Sequence, residues 1–144
     1  MSKRIYLITG ASSETAMAYI RNLIKTSADA MVIGQYRKMN DELETLVNEA
    51  EASGFVLKLF RADLTNVEDI NNLIDYVKGE VDCPTHILHC PAAKLHYRKI
   101  KGVEWKSVED DFRIQVVSLG MLLSAFMPIM AKSSRFFTTL SRMR

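Results

Sequence analysis

Short apolar runs alternate with amphipathic stretches along this chain, and the alternation constrains its fold more than any one motif. Ile5–Ile8, Ala30–Ile33, Phe55–Phe60 and the pair Ile87-Leu88 have the length and content of strands. The stretches between them repeat with helical period. Glu14–Lys25 carries Met17, Ile20 and Ile24 on one face. Asn40–Ser53 sets Leu43, Leu46, Val47 and Ala50 on one face with acids opposite, and Gly54 ends it. Thr65-Asn66-Val67-Glu68 has capping-box spacing ahead of a stripe of Val67, Ile70, Leu73, Ile74 and Val77. A long apolar helix is expected from about Ser107 to Met130, and a fifth strand over Arg135–Leu140. Strands joined through helices run parallel, and the helices cover both faces of the sheet. The expected fold is therefore α/β: an open, doubly wound parallel sheet of about five strands, with right-handed crossovers. It is expected to form one domain over residues 1–144. Ligands of such sheets bind at the carboxyl ends of the strands. This directs attention to residues 9–16, 34–38, 62–64 and 89–93.

Composition narrows the partners. The chain has 144 residues, 48% hydrophobic and 25% charged, the make-up of a globular domain. A formal net charge of +2 gives no electrostatic reason to expect nucleic acid. Lys94–Lys101, with His96, Arg98 and Lys99, is a small basic patch that reads as a solvated loop. Cys83 and Cys90 are too few for a disulfide framework or a zinc cluster, and a reducing, cytoplasmic setting is expected. His86 and His89 lie near them, but residues three apart on a strand point to opposite faces, so no metal site is expected. Only four apolar residues follow Met-Ser-Lys-Arg, too few for a signal-peptide core. Val116–Ala131 is interrupted by Ser118, Gly120, Ser124 and Pro128 and falls short of a membrane span; it reads as a buried or interface helix.

The junction Thr9-Gly10-Ala11-Ser12-Ser13 carries the chemistry. Gly10 permits a tight turn, Ser12 and Ser13 offer hydroxyl donors, and a helix N-terminus behind them attracts an anion such as phosphate. Ser13 equally suits the helix N-cap, which is the plainer alternative. Thr9–Ala16 resembles the Thr-Gly-x-x-x-Gly-x-Gly pattern of the short-chain dehydrogenase/reductase family, with Gly10 at the first glycine, Glu14 at the second and Ala16 at the third. Gly10 through Ala16-Met17-Ala18 is also similar to the looser Gly-x-x-x-x-x-Ser-x-Ala pattern of the family's enoyl reductases. A carboxylate at Glu14 repels a pyrophosphate, although it suits a helix N-terminus.

Further landmarks follow in the family's order. Ala62-Asp63-Leu64 resembles the pair that places the adenine, and a solvated turn is the plainer alternative. Gln35-Tyr36-Arg37-Lys38 lacks the acid that binds a ribose hydroxyl, and Arg37 suits a 2′-phosphate. His89-Cys90-Pro91-Ala92 stands where the family has Asn-Asn-Ala-Gly, and Trp105 with Asp111–Gly120 resembles the lead into the family's long interface helix. The resemblance implies a Rossmann-like domain that binds NADP, with NAD possible. The cofactor would lie against Gly10, Ser12, Ser13, Glu14, Thr15, Arg37, Asp63, Leu64, Cys90, Pro91 and Ala92.

The family reaction interconverts a ketone and an alcohol on a small molecule or a carrier-bound acyl chain. It needs a tyrosine as general acid or base, a lysine four residues on, and a serine that polarises the carbonyl. The family's relay asparagine falls on Val117, and Ser141 stands near the serine's place. Tyr97 and Lys101 have the right mutual spacing but precede the long helix, which is out of the family's order. The expectation is an oxidoreductase ancestry without turnover by these 144 residues alone. The competing expectation is a non-catalytic fragment or pseudo-enzyme that dimerises or binds a partner. The family pattern continues past a fifth strand whereas this sequence stops at Arg144, so truncation, a shifted frame or a cut piece all fit. A bare edge and a bare Val116–Met130 face would favour a homo-oligomer.

Overall fold

A computed structural model describes residues 3–91 and 102–138. Five strands form one sheet: β1 Ile5–Thr9, β2 Met31–Tyr36, β3 Val56–Arg61, β4 His86–His89 and β5 Arg135–Thr138. Their order is β3-β2-β1-β4-β5, and every neighbouring pair is parallel. The chain winds outward from β1 to β3, then returns past β1 to continue through β4 to β5. The direction reverses between β1 and β4, so a crevice is expected at their carboxyl ends.

The helices are α1 Glu14–Thr26, α2 Asp41–Ser53, α3 Val67–Glu80, α4 Trp105–Phe112 and α5 Ser118–Phe126. Alternation along the strands gives the sheet two cores. Tyr6, Ile8, Val32 and Leu88 pack on Met17, Ile20 and Leu23 of α1 and on Leu43 and Leu46 of α2. Leu7, Met31, Ile33 and Ile87 pack on Ile70, Leu73 and Val77 of α3 and on Leu122 and Phe126 of α5. Each such side chain contributes roughly 1.5–3 kcal/mol when fully buried, so the two layers hold the strand ends in fixed register. His86 stacks on Tyr6 at 4.4 Å between ring centroids, on the α1 side, whereas His89 lies on the other side with Thr9.

Caps fix where each helix begins. The Ser13 hydroxyl accepts from the Ala16 N–H at 3.2 Å, and Asn40 Oδ1 accepts from the Leu43 N–H at 2.7 Å. Gly54 ends α2 at φ 70°, the left-handed conformation that glycine tolerates. The start of α3 differs from the expected capping box. Asn66 is the cap, accepting from Glu68 N–H at 2.9 Å and Asp69 N–H at 3.4 Å. Thr65 is drawn off because its N–H and hydroxyl both donate to Asp63 Oδ1.

The long helix also differs from the expectation. α4 and α5 are joined by a π-helical stretch, Arg113–Val117, and a 3-10 turn, Met127–Ile129, follows. The whole Trp105–Ile129 segment is long and apolar enough to cross a membrane, with mean hydropathy 1.6 in its most apolar window. That length corrects the expectation that the apolar run falls short of a span; only 17% of that window is buried, which fits the interface alternative of the expected buried or interface helix better than the buried one. Ser118, Leu122 and Phe126 seat it on the sheet, while Phe112, Val116, Met127 and Ile129 are exposed. Among the described residues β5 is an edge strand, with Phe136 and Phe137 exposed.

Candidate functional site

The carboxyl ends of β1, β2, β3 and β4 bring the candidate residues together. Gly10 follows β1 at φ 69°, and a Cβ there would lie 2.4 Å from the Cys90 carbonyl oxygen and 2.6 Å from Pro91 Cα. Glycine is thus required both by backbone conformation and by the Cys90–Pro91 peptide lying against it. Thr9 and His89 brace the same corner. The Thr9 hydroxyl and His89 Nδ1 are 2.6 Å apart, and the Cys90 N–H donates to the Thr9 carbonyl. Burial pulls the His89 pKa down, opposed by hydrogen bonding to the backbone of Gln115 and Ile114. The residue thus sits where the end of β4 meets the π-helical stretch.

Gln35 organises the loop, a role that its sequence neighbourhood does not signal. Its side chain is buried, with Oε1 accepting from the Gly10 N–H at 2.8 Å and Nε2 donating to the Ala62 carbonyl at 2.7 Å. Its own carbonyl accepts from the Ala11 N–H at 2.8 Å. One residue thereby joins the ends of three strands. The Ser13 N–H returns to the Gly10 carbonyl. Among the described residues, nothing takes the N–H groups of Ser12, Glu14 and Thr15. These three donors stand at the start of α1, where an anion is favoured.

The Glu14 side chain is exposed and has no hydrogen-bond or ion-pair partner among the described residues. Ser13 takes the capping role, and its own hydroxyl proton remains available to a ligand. Asn40 Nδ2 donates to the Ser12 carbonyl at 3.5 Å, tying the loop to the start of α2. Asp63 organises its own turn. Burial pushes its carboxyl pKa up, but donation from the Thr65 hydroxyl and N–H, with the nearby Arg37 and Arg61, brings it below the usual value. Leu64 is buried under that turn. Arg37 is exposed, and its carbonyl accepts from Arg61 Nε at 3.2 Å.

Cys90 is buried and Pro91 half-buried at the end of β4. Ala92, Tyr97, Lys101 and Ser141 lie outside the described residues, as does the basic patch 94–101. Val117 is half-buried and lines a groove of about 480 Å³ between α3 and α5, with Asn71, Ile74, Gly120, Met121, Ser124 and Ala125. Among the described residues, no group of three or more His, Cys, Asp or Glu is placed to hold a metal ion.

A parallel α/β sheet whose first crossover presents open N–H donors is the architecture of a nucleotide-binding protein. The short chain dehydrogenase family model matches residues 4–135, and the chain belongs to that family. No curated protein matches it by sequence. Among solved structures, it is similar to a metagenomic short-chain oxidoreductase in complex with NADP: 19% identity, TM-score 0.83, covering 94% of this chain and 60% of that one. A short chain dehydrogenase from Burkholderia cenocepacia in complex with NADP gives 18% identity and TM-score 0.83, covering 96% of this chain and 55% of that one. An NADH-dependent reductase complexed with NAD gives 16% identity and TM-score 0.74, with coverage of 88% and 52%. At these identities the likeness is one of fold, and the chain spans little more than half the length of those proteins.

Proposed function

We propose that these residues form the nucleotide-binding half of a short-chain oxidoreductase that uses NADP, with NAD as the weaker alternative. The observation that carries this is the set of open Ser12, Glu14 and Thr15 N–H groups beside Gly10, held in place by Gln35. They fit a pyrophosphate, with the Ser12 and Ser13 hydroxyls as further donors. Asp63 and Leu64 would border the adenine, and Arg37 would face the 2′-phosphate. Cys90 and Pro91 would line the far side, toward the nicotinamide. When bound, the nicotinamide supplies the hydride acceptor or donor for a ketone–alcohol interconversion on a small molecule or carrier-bound chain. Neighbours in complex with NADP support the cofactor choice. Titrating NADPH and following its fluorescence tests the reading: saturable enhancement is expected, and no change at millimolar cofactor would remove it.

A second reading is favoured by Val117. It stands at the family's relay-asparagine position, and valine neither holds a water nor passes a proton. This supports binding without turnover. The chain would then act as a dimerising or partner-binding module, assembled through the Val116–Met130 face. Carbonyl reduction by the purified chain would eliminate this second reading. A sequence with only Cys83 and Cys90, too few for a disulfide framework, supports a reducing, cytoplasmic setting.

A further inference from the structure

We propose that Arg61 is a second ligand for the 2′-phosphate, acting with Arg37 as a guanidinium pair that selects NADP over NAD. The inference rests on the dinucleotide reading above. The two arginines are 24 residues apart in sequence, and strand pairing brings them together. β2 and β3 run parallel with Tyr36 opposite Arg61, so Arg37 follows directly on the paired position. Arg61 Nε donates to the Arg37 carbonyl at 3.2 Å. That bond anchors the Arg61 guanidinium at the end of β2, and among the described residues its two Nη groups have no partner.

The charge around them is unbalanced. Asp63 is the carboxylate on which both arginines act, and its Oδ1 is already committed to the N–H and hydroxyl of Thr65. Neither arginine forms an ion pair among the described residues. Lys38 adds a further positive charge beside Arg37, and Gln35–Lys38 contains no acid to repel a phosphate or hold a ribose hydroxyl. A phosphate monoester carries about −1.5 to −2 charges and three acceptor oxygens, which suits the fork of a guanidinium. An NAD ribose offers that pair nothing equivalent. Both side chains are exposed, so the pair tunes cofactor choice without supporting the core.

The test is calorimetric titration of the 144-residue chain and of Arg61→Gln and Arg61→Lys with NADPH, NADH and adenosine 2′-monophosphate. The wild-type chain is expected to prefer NADPH to NADH. Arg61→Gln should weaken NADPH and adenosine 2′-monophosphate about tenfold, the scale of one charge-assisted contact, while leaving NADH unchanged. Arg61→Lys, which keeps charge but loses the tether and the fork, should fall between. An unaltered NADPH-to-NADH ratio in Arg61→Gln, or equal loss for both, overturns the proposal. Equal wild-type affinity for NADPH and NADH overturns it too, while leaving the dinucleotide reading standing. Arg61-dependent binding of adenosine 2′-monophosphate without either dinucleotide upholds the clamp and sinks the cofactor reading. Binding of none of the three overturns both.

Discussion

Glu14 is the residue at which sequence and site pull against each other. Its carboxylate suits the positive start of α1, yet one of the open N–H donors is its own. Glu14→Gln is therefore expected to tighten NADPH severalfold while slightly lowering the melting temperature. Calorimetry and thermal melts on the same variant check the opposite signs. Gln35 predicts the reverse pattern. Gln35→Met keeps the shape but strands the Gly10 N–H and the Ala62 carbonyl, at about 1–3 kcal/mol for each buried group left unpaired. Stability and cofactor affinity should fall together. Gly10 was legible in the sequence because a turn before a helix calls for it. Gln35 was not, because both of its partners lie on other strands, and only the folded sheet shows that a glutamine bridges them.

His89 adds a pH dependence. Its folded pKa is depressed by burial, so the unfolded chain binds the proton more readily. Stability should be full above the ordinary histidine value of about 6.5 and fall as the pH drops below it. His86, depressed by burial and by Arg4 and Arg135, acts in the same direction. Asp63, with its pKa lowered on balance, contributes stability above the ordinary carboxylate value that is lost at still lower pH. Chemical denaturation at pH 7 and pH 5 should show a loss that His89→Asn reduces; equal losses in both proteins would refute the assignment.

At the scale of elements, legibility followed the locality of the signals. α2 could be read almost whole, because Asn40, the Leu43–Leu46–Ala50 stripe and Gly54 all lie within it. The start of α3 could not, because Asp63 captures Thr65 and hands the cap to Asn66. Asn66→Ala should cost about 1 kcal/mol, and Thr65→Ala should act through the Asp63 turn instead. Urea unfolding separates them if Asp63→Asn abolishes the effect of Thr65→Ala but not that of Asn66→Ala. In the long helix, the apolar run of Val116–Ala131 suggested a buried or interface helix without separating the two. The sheet fully buries Ser118, Leu122 and Phe126 of that run, while Met121, Leu123, Ala125 and Met130 pack against it only in part.

For the molecule as a whole, the β5 edge strand and the exposed Phe112, Val116, Met127 and Ile129 make self-association the expected outcome. Sedimentation at micromolar concentration should show it, and Val116→Asp should reduce it; a clean monomer would count against the interface. The doubly wound parallel sheet was implicit in strand–helix alternation, but the order β3-β2-β1-β4-β5 was not, since alternation is compatible with more than one doubly wound order. On the proposed reading, what would turn that winding into a binding protein is the set of backbone donors behind Gly10 that no described residue takes. The most direct measurement is NADPH titration of the wild-type chain beside Gly10→Ala, with folding of both followed by circular dichroism. Saturable binding by the wild type, lost or strongly weakened in a folded Gly10→Ala, is the predicted result. A folded wild-type chain that binds no NADPH at millimolar concentration, or a Gly10→Ala variant that binds it equally well, would contradict the account.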